Sequence, residues 1–143
     1  SRNQLLINKG TSDGLRKDQF VIGDNSVIGR LTEVSGHSAT VRLFTDPKSK
    51  LSVRVGNADA GALMHGTGQN SAKISLLPAS TDIEKGDVVY ARRQPGYLPS
   101  AMIVGRVSSC KRDPENPLLW DITVSPASDI AKLTDIHVII VPR

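Results

Sequence analysis

Apolar and polar residues alternate along most of the chain. Ala39–Leu43 and residues 51–55 and 120–124 alternate strictly. A period of two residues is typical of a strand with one buried face. Further strands are predicted, between turn-forming residues, at 5–7, 19–22, 26–31, 62–65, 72–77, 87–91, 102–107 and 137–141. The pattern predicts an all-β protein with many turns.

Only one helix is predicted, over residues 126–133. Ser128 is the expected N-cap, an acidic residue follows it, and Ile130 and Leu133 are three residues apart. The segment is long enough for one or two turns.

The chain contains an internal repeat. Residues 15–21 match residues 83–89 in their apolar positions and in a shared lysine, and residues 27–31 match residues 103–107. The matches occur in the same order with similar spacing, although turn-strand pairs resemble each other in any β protein. We therefore predict two β-barrel-like subdomains related by internal duplication, at residues 1–79 and 80–143.

Glycines are predicted at structural positions. Gly29 and Gly105 stand inside strand patterns before an arginine, where a barrel corner needs a close backbone approach. Gly10 and Gly14 belong to the first turn of the chain.

The composition modifies this picture in two ways. Aromatic residues make up 3% of the chain, so Val, Ile and Leu must fill the core. The formal net charge is +4, which makes nucleic acid a partner to consider. However, the basic residues are scattered among acids, and few aromatics are available to stack on bases. We therefore do not expect nucleic-acid binding, although a nucleic-acid-binding barrel remains an alternative.

No convincing set of catalytic or metal-binding residues is present. His37, His65 and His137 lie in separate segments without metal-ligand spacing, and no nucleophile motif surrounds any serine. Cys110 is the only cysteine, and we expect a small buried thiol there. The sequence predicts no enzyme activity, no metal, no cofactor and no small-molecule substrate. A cryptic hydrolase is the remaining enzymatic alternative.

An ordered series of short motifs runs from Ile7-Asn8-Lys9-Gly10 to V-x-PA at 124–127, and this series resembles the rod-shape-determining MreC family. Ile7-Asn8-Lys9-Gly10 followed by Asp13-Gly14-Leu15 is similar to the family's opening INKG-x-x-DG element. The series continues with VIGR at 27–30, V-x-L-x-TD at 41–46, V-x-V at 53–55, Gly61 and Gly66, Lys85-Gly86-Asp87 with Val89, Pro99 with VGRV at 104–107, and V-x-PA at 124–127 with Asp129 and Leu133. The similarity spans nearly the whole chain.

The chain departs from the family pattern in three places. Asp18 stands where the first repeat usually has glycine, residues 91–95 replace a small Ser- and Gly-rich turn, and Ala101 replaces a second glycine. These departures concern loop geometry around 91–102 rather than the fold.

The resemblance implies a non-enzymatic scaffold of the cell-elongation machinery that maintains rod shape by binding proteins. The implied partners are the elongation penicillin-binding transpeptidase, MreD and the actin-like MreB, and we also expect self-association. The domain would lie on the periplasmic face of the inner membrane, and an anchoring helix and a coiled coil would precede it. The abrupt first and last residues agree with a fragment of a longer protein. A generic β-barrel adaptor is the alternative.

A partner-binding surface is predicted in the loop that follows residue 91. Arg92, Arg93, Tyr97, Leu98 and Met102 combine residue types that interfaces favour with loop-forming Pro and Gly. The alternative is that Tyr97, Leu98 and Met102 fold inward and plug the end of the barrel.

Overall fold

The computed structural model describes residues 3–58 and 61–142. Over these residues the chain forms strands and two one-turn 3₁₀ helices. The strands are β1 (Gln4–Ile7), β2 (Phe20–Gly23), β3 (Ser26–Val34), β4 (Ala39–Leu43), β5 (Lys50–Val55), β6 (Gly61–Gly66), β7 (Ala72–Ser75), β8 (Val88–Ala91), β9 (Met102–Arg112), β10 (Trp120–Pro126) and β11 (His137–Val138). Each strand predicted from the sequence is present, and the all-β prediction is confirmed.

The strands divide into an open sheet and a closed barrel. The open sheet has the order β1-β4-β3-β2-β11, and the barrel has the order β10-β7-β6-β5-β8-β9, closed by pairing of β9 with β10. This division does not follow the predicted boundary between residues 79 and 80. Strands β5 to β7 precede that boundary and yet share the barrel with β8 to β10, while β11 returns to the open sheet. Pairings between distant segments, such as Val53 opposite Ala91, decide this arrangement and leave no local signal in the sequence.

The two repeats fold in the same way. Strands β2, β3 and β4 form an antiparallel meander, as do β8, β9 and β10. The first strand pair of each meander changes register at the same place, after Val21 in one and after Val89 in the other. Val21 lies opposite Gly29, and Val89 lies opposite Gly105. The two meanders therefore have the strand order that the predicted duplication requires.

The turn before each meander is also equivalent. Arg30 Nε donates a hydrogen bond to the Asp18 carbonyl oxygen at 3.0 Å, and Arg106 Nη1 donates to the Gly86 carbonyl oxygen at 3.1 Å. Asp18 and Gly86 both have positive φ, 73° and 95°. Aspartate therefore occupies a left-handed position that its repeat partner fills with glycine, and aspartate tolerates this conformation better than most residues.

Two apolar clusters form the core. The larger fills the barrel with residues such as Met64, Ile74 and Ile122, and the smaller lies under the open sheet around Leu31 and Val41. Phe20 and Val27 lie on strands of the open sheet but belong to the barrel cluster, so the two parts share one packed interface.

The helical turns differ from the prediction. The turn expected over 126–133 is a 3₁₀ helix at Ile130–Lys132, and its N-cap is Asp129, whose side chain accepts from the amide of Ala131. Ser128 is not the cap because its hydroxyl is buried and bonds to the Gly23 carbonyl and to Ser26. A second 3₁₀ helix, Thr11–Asp13, lies in a segment predicted as a simple turn. Neither of these short helices is long enough to cross a bilayer.

Candidate partner-binding site

The predicted partner-binding residues lie on the connection between β8 and β9, which we call the 92–101 loop. A tight turn organises its centre: the amide of Tyr97 donates to the Gln94 carbonyl at 3.0 Å, with Pro95 and Gly96 between them. Gly96 has φ of 86°, as the third position of a type II turn requires. The amide of Leu98 also donates to the Gln94 carbonyl, at 2.8 Å. The loop is therefore held in a defined shape by its own backbone.

Leu98 belongs to the core. Its side chain is 0% exposed and packs in the barrel cluster, and the half-buried Met102 packs against the same cluster. The alternative that loop side chains fold into the barrel therefore applies to Leu98, whose buried side chain is not accessible to a partner. Burial of a leucine removes apolar area from water, so the packing of this side chain in the barrel cluster stabilises the position of the loop.

Tyr97 connects the barrel to the open sheet. Its ring lies 5.3 Å from the guanidinium carbon of Arg16 and 5.7 Å from that of Arg30, distances typical of cation–π contacts. The ring is half-buried and also packs against the barrel core. One face of Tyr97 therefore already has intramolecular partners, which restrains the loop against the first repeat.

Arg92 and Arg93 remain exposed. The amide of Arg92 donates to the Ser52 carbonyl at 3.1 Å, and the Arg92 guanidinium extends over Gly61, where an added Cβ would collide with it. Arg93 has no hydrogen bond or ion pair within residues 3–58 and 61–142. Of the five residues predicted to bind a partner, these two carry positive charges that are accessible to solvent.

The predicted structural glycines occupy constrained positions. An added Cβ at Gly29 would collide with the Arg42 carbonyl oxygen, and one at Gly105 with the Ser125 carbonyl oxygen. Gly10 lies against the backbone of the β3–β4 hairpin, and Gly14 has φ of 83°. Close approach therefore requires glycine at the first three positions, and a left-handed backbone favours it at the fourth.

The sequence reasoning missed a pair of exposed leucines on the barrel. Leu76 and Leu118 are 79% and 77% exposed, and Leu76 has φ of 66°, an uncommon conformation for a bulky residue. The two segments are joined because the amide of Ala79 donates to the Leu118 carbonyl and that of Trp120 to the Leu77 carbonyl, both at 2.8 Å. The available signal was Leu76-Leu77, which breaks the two-residue alternation.

The remaining candidate groups lie apart. His37 and His137 are exposed, and His65 is half-buried on β6. Within the part of the chain that the structure describes, no three His, Cys, Asp or Glu side chains are grouped so as to hold a metal ion. Cys110 is half-buried on β9, and burial, together with the charge of Asp87, raises the pKa of its thiol.

The fold and sequence match one family of proteins. The family model "Rod shape-determining protein MreC, barrel core" matches residues 1–140. The "Cell shape-determining protein MreC" of Haemophilus influenzae is 34% identical over 116 residues, which are 80% of this chain and 33% of that protein. The chain thus spans a third of the length of this relative.

Solved structures show the same fold. A crystal structure of MreC from Pseudomonas aeruginosa superposes with a TM-score of 0.85 at 22% identity, covering 96% of this chain and 88% of that one. The major periplasmic domain of the "cell shape-determining filament MreC" gives 0.69 at 23% identity, covering 88% and 78%. MreC in a complex with penicillin-binding protein PBP2 from Helicobacter pylori gives 0.74 at 16% identity, covering 96% and 87%.

The family model extends over almost all of the 143 residues, and it describes the same barrel core that the strands build. The chain belongs to the MreC family of rod shape-determining proteins.

Proposed function

We propose that this domain is a non-enzymatic scaffold of the bacterial cell-elongation machinery and that it binds the elongation penicillin-binding transpeptidase. The observation that carries the proposal is the likeness of nearly the whole chain to the MreC protein in complex with PBP2. The periplasmic domain among the similar structures supports a location on the outer side of the inner membrane. MreD and MreB are proposed as further partners of the whole protein, through the segments that would precede this domain.

The partner surface we propose includes the exposed part of the 92–101 loop. Its turn is fixed by backbone hydrogen bonds and anchored by Leu98 in the core, so little conformational entropy is lost when a partner binds. Arg92 and Arg93 supply exposed guanidinium groups, and arginine is enriched in interfaces because it combines charge with a planar contact surface. Tyr97 and Met102 contribute the accessible parts of half-buried side chains.

Binding of the full-length protein to the purified transpeptidase tests this proposal. Alanine at both Arg92 and Arg93 is expected to weaken binding by roughly 1–3 kcal/mol, as truncation of interface anchors does, with an unchanged melting temperature. Leu98→Ala is expected to lower the melting temperature because it empties a core position. Alanine at both Lys85 and Lys111, which removes two exposed positive charges outside the 92–101 loop, is the matched control for charge.

If the variant with alanine at Arg92 and Arg93 binds the transpeptidase as tightly as the wild type does, the interface lies elsewhere. The exposed Leu76 and Leu118 would then be the next candidate surface. Absence of binding between the intact proteins would contradict the proposed partner itself. A generic adaptor is distinguished by a preference for other envelope proteins over the transpeptidase in the same assay.

A further inference from the structure

A cavity of about 210 Å³ lies between the open sheet and the start of the barrel. Strands β3 and β4 form one wall, and the segment that leads from β4 into β5 forms another. Four basic side chains line it: Arg30, Arg42, Lys48 and Lys50. Asp18 is the only acidic residue among the lining residues. The cavity therefore concentrates positive charge in a chain whose basic residues are otherwise scattered.

Two of these cations face each other directly. Arg30 on β3 and Arg42 on β4 are cross-strand partners, and both are half-buried. Like charges at directly opposite positions destabilise a sheet, so this pair needs a compensating group. Arg30 has some compensation, because it lies 4.4 Å above the Phe20 ring and bonds to the Asp18 carbonyl.

Arg42 lacks a compensating group among the residues that the structure describes. Its Nε is buried and has no hydrogen-bond partner among the described residues, and no carboxylate forms an ion pair with it there. Lys48 and Lys50 likewise form no ion pair within residues 3–58 and 61–142. A buried donor without a partner costs free energy, and a buried charged donor costs more. The Nε itself is closed to solvent, so it is the uncompensated charge of the half-buried Arg42, which lines the cavity, that favours an external acceptor carrying negative charge.

The second repeat provides an internal comparison. There Arg106 is the equivalent of Arg30, but its cross-strand partner is Ser125 instead of an arginine. Gly86 replaces Asp18 at the turn, and Arg106 is exposed. The paired arginines are therefore not required by the fold, since the same meander forms without them.

We propose that this cavity binds a compact, multiply charged oxyanion of the phosphate class, such as a phosphate ester or a diphosphate. Four cations and one carboxylate leave a net charge of +3, which a single carboxylate would leave mostly uncompensated, whereas a trianion such as a diphosphate would neutralise it. Arginine guanidinium groups donate in parallel to phosphate oxygens, and lysines add point charges at the rim. The apolar wall of Phe44 and Leu51 lowers the local dielectric and strengthens these contacts.

Titration of the purified chain with pyrophosphate and with inorganic phosphate tests this site. The backbone amides of residues 48–50 are followed by NMR, at constant ionic strength maintained with sodium chloride. We expect saturable shifts with pyrophosphate and weakening of that binding by about tenfold or more in Arg42→Gln, the loss typical of one charged hydrogen-bonded contact. Arg106→Gln is the matched control in the other repeat and is expected to bind as the wild type does.

The Arg42→Gln variant is expected to fold, because the change removes cross-strand repulsion. Without added anion its melting temperature should equal or exceed that of the wild type. Equal responses of the wild type, Arg42→Gln and Arg106→Gln would indicate a general salt effect and overturn the proposal. Binding of a short Asp- and Glu-rich peptide through Arg42, with no response to pyrophosphate, would also overturn it in favour of a carboxylate partner.

Discussion

Gly29 and Gly105 hold the same position in the two repeats, each directly against a carbonyl oxygen of the neighbouring strand. An added Cβ at Gly29 would collide with the Arg42 carbonyl oxygen, and one at Gly105 with the Ser125 carbonyl oxygen. The backbone bonds around them are also equivalent. The amide of Phe44 donates to the Ile28 carbonyl at 3.0 Å, and the amide of Ala127 donates to the Val104 carbonyl at 3.1 Å.

Alanine at either glycine is therefore expected to force the two strands apart. We expect Gly29→Ala and Gly105→Ala each to lower the free energy of unfolding by roughly 3 kcal/mol, the scale of overpacking in a rigid environment. Gly36→Ala is the control, because a Cβ there meets no atom within 4 Å. Urea unfolding measures all three, and a near-neutral result at Gly29 and Gly105 would show that the strands can separate without cost.

The left-handed turn before each meander gives opposite expectations in the two repeats. Gly86→Ala should lower the free energy of unfolding by about 1 kcal/mol, because φ is 95° and the space around the added Cβ is empty. At high salt, which screens the loss of the only carboxylate among the cationic side chains that line the cavity, Asp18→Gly should raise it by about 0.5 kcal/mol, because glycine removes the strain of a φ of 73°. Destabilisation by both changes in urea would mean that the Asp18 side chain stabilises its turn more than the backbone strains it.

Self-association through the edge of the open sheet is a further expectation. β1 pairs with β4 on one side, and no strand among the described residues covers the other side, where Leu6 is 78% exposed. The amide of Leu43 donates a hydrogen bond to the Asn3 carbonyl, so Asn3 is a hydrogen-bonded position of the antiparallel ladder. Hydrogen-bonded positions alternate along a strand, so the amide of Leu6, three residues later, points away from β4 towards the open edge.

Leu6→Pro removes this outward donor and leaves the bonds to β4 intact, whereas Leu6→Thr keeps the donor and shortens the side chain. In sedimentation of the full-length protein, we expect proline to reduce association at least as much as threonine does. Identical association of wild type and Leu6→Pro, with both folded, would exclude this edge.

Cys110 is expected to react slowly with alkylating reagents. Burial and the charge of Asp87 raise the pKa of its thiol, and its sulfur lies 3.7 Å from the Ile83 carbonyl oxygen. Because the thiolate is the reactive form, alkylation at pH 8 should be slower in the folded chain than in denaturant.

The same shift predicts a loss of stability at alkaline pH. A pKa that is higher in the folded chain means that folding favours the thiol, so this contribution is complete below the ordinary cysteine pKa and is lost as pH rises from that value through the higher pKa of the folded chain. Cys110→Ala should lose less stability than the wild type between pH 8 and 10. Equal loss in both would assign the alkaline dependence to other groups.

Local patterns in the sequence determined the elements and the repeat of this protein. Strict alternation at Ala39–Leu43 predicts a strand with one buried face, and the structure shows its residues buried and half-buried in turn. The local pattern also predicts the role of Gly29 and Gly105, because a glycine inside a strand pattern usually marks a bulge or a close approach of another backbone. These features depend on neighbours along the chain, which the sequence displays directly.

The tertiary structure alone decided which strands share a sheet and which side chains of the 92–101 loop are free. β5 joins β8 rather than β4 because the barrel closes only when these distant edges meet, and β11 crosses back to pair with β2 at the edge of the open sheet. Leu98 is buried because that closure creates an apolar interior beside its turn. The facing pair Arg30 and Arg42 has the same origin, since only the register of β3 against β4 brings two scattered charges together. Pairing and burial depend on residues far apart in the chain, so no local pattern contains them.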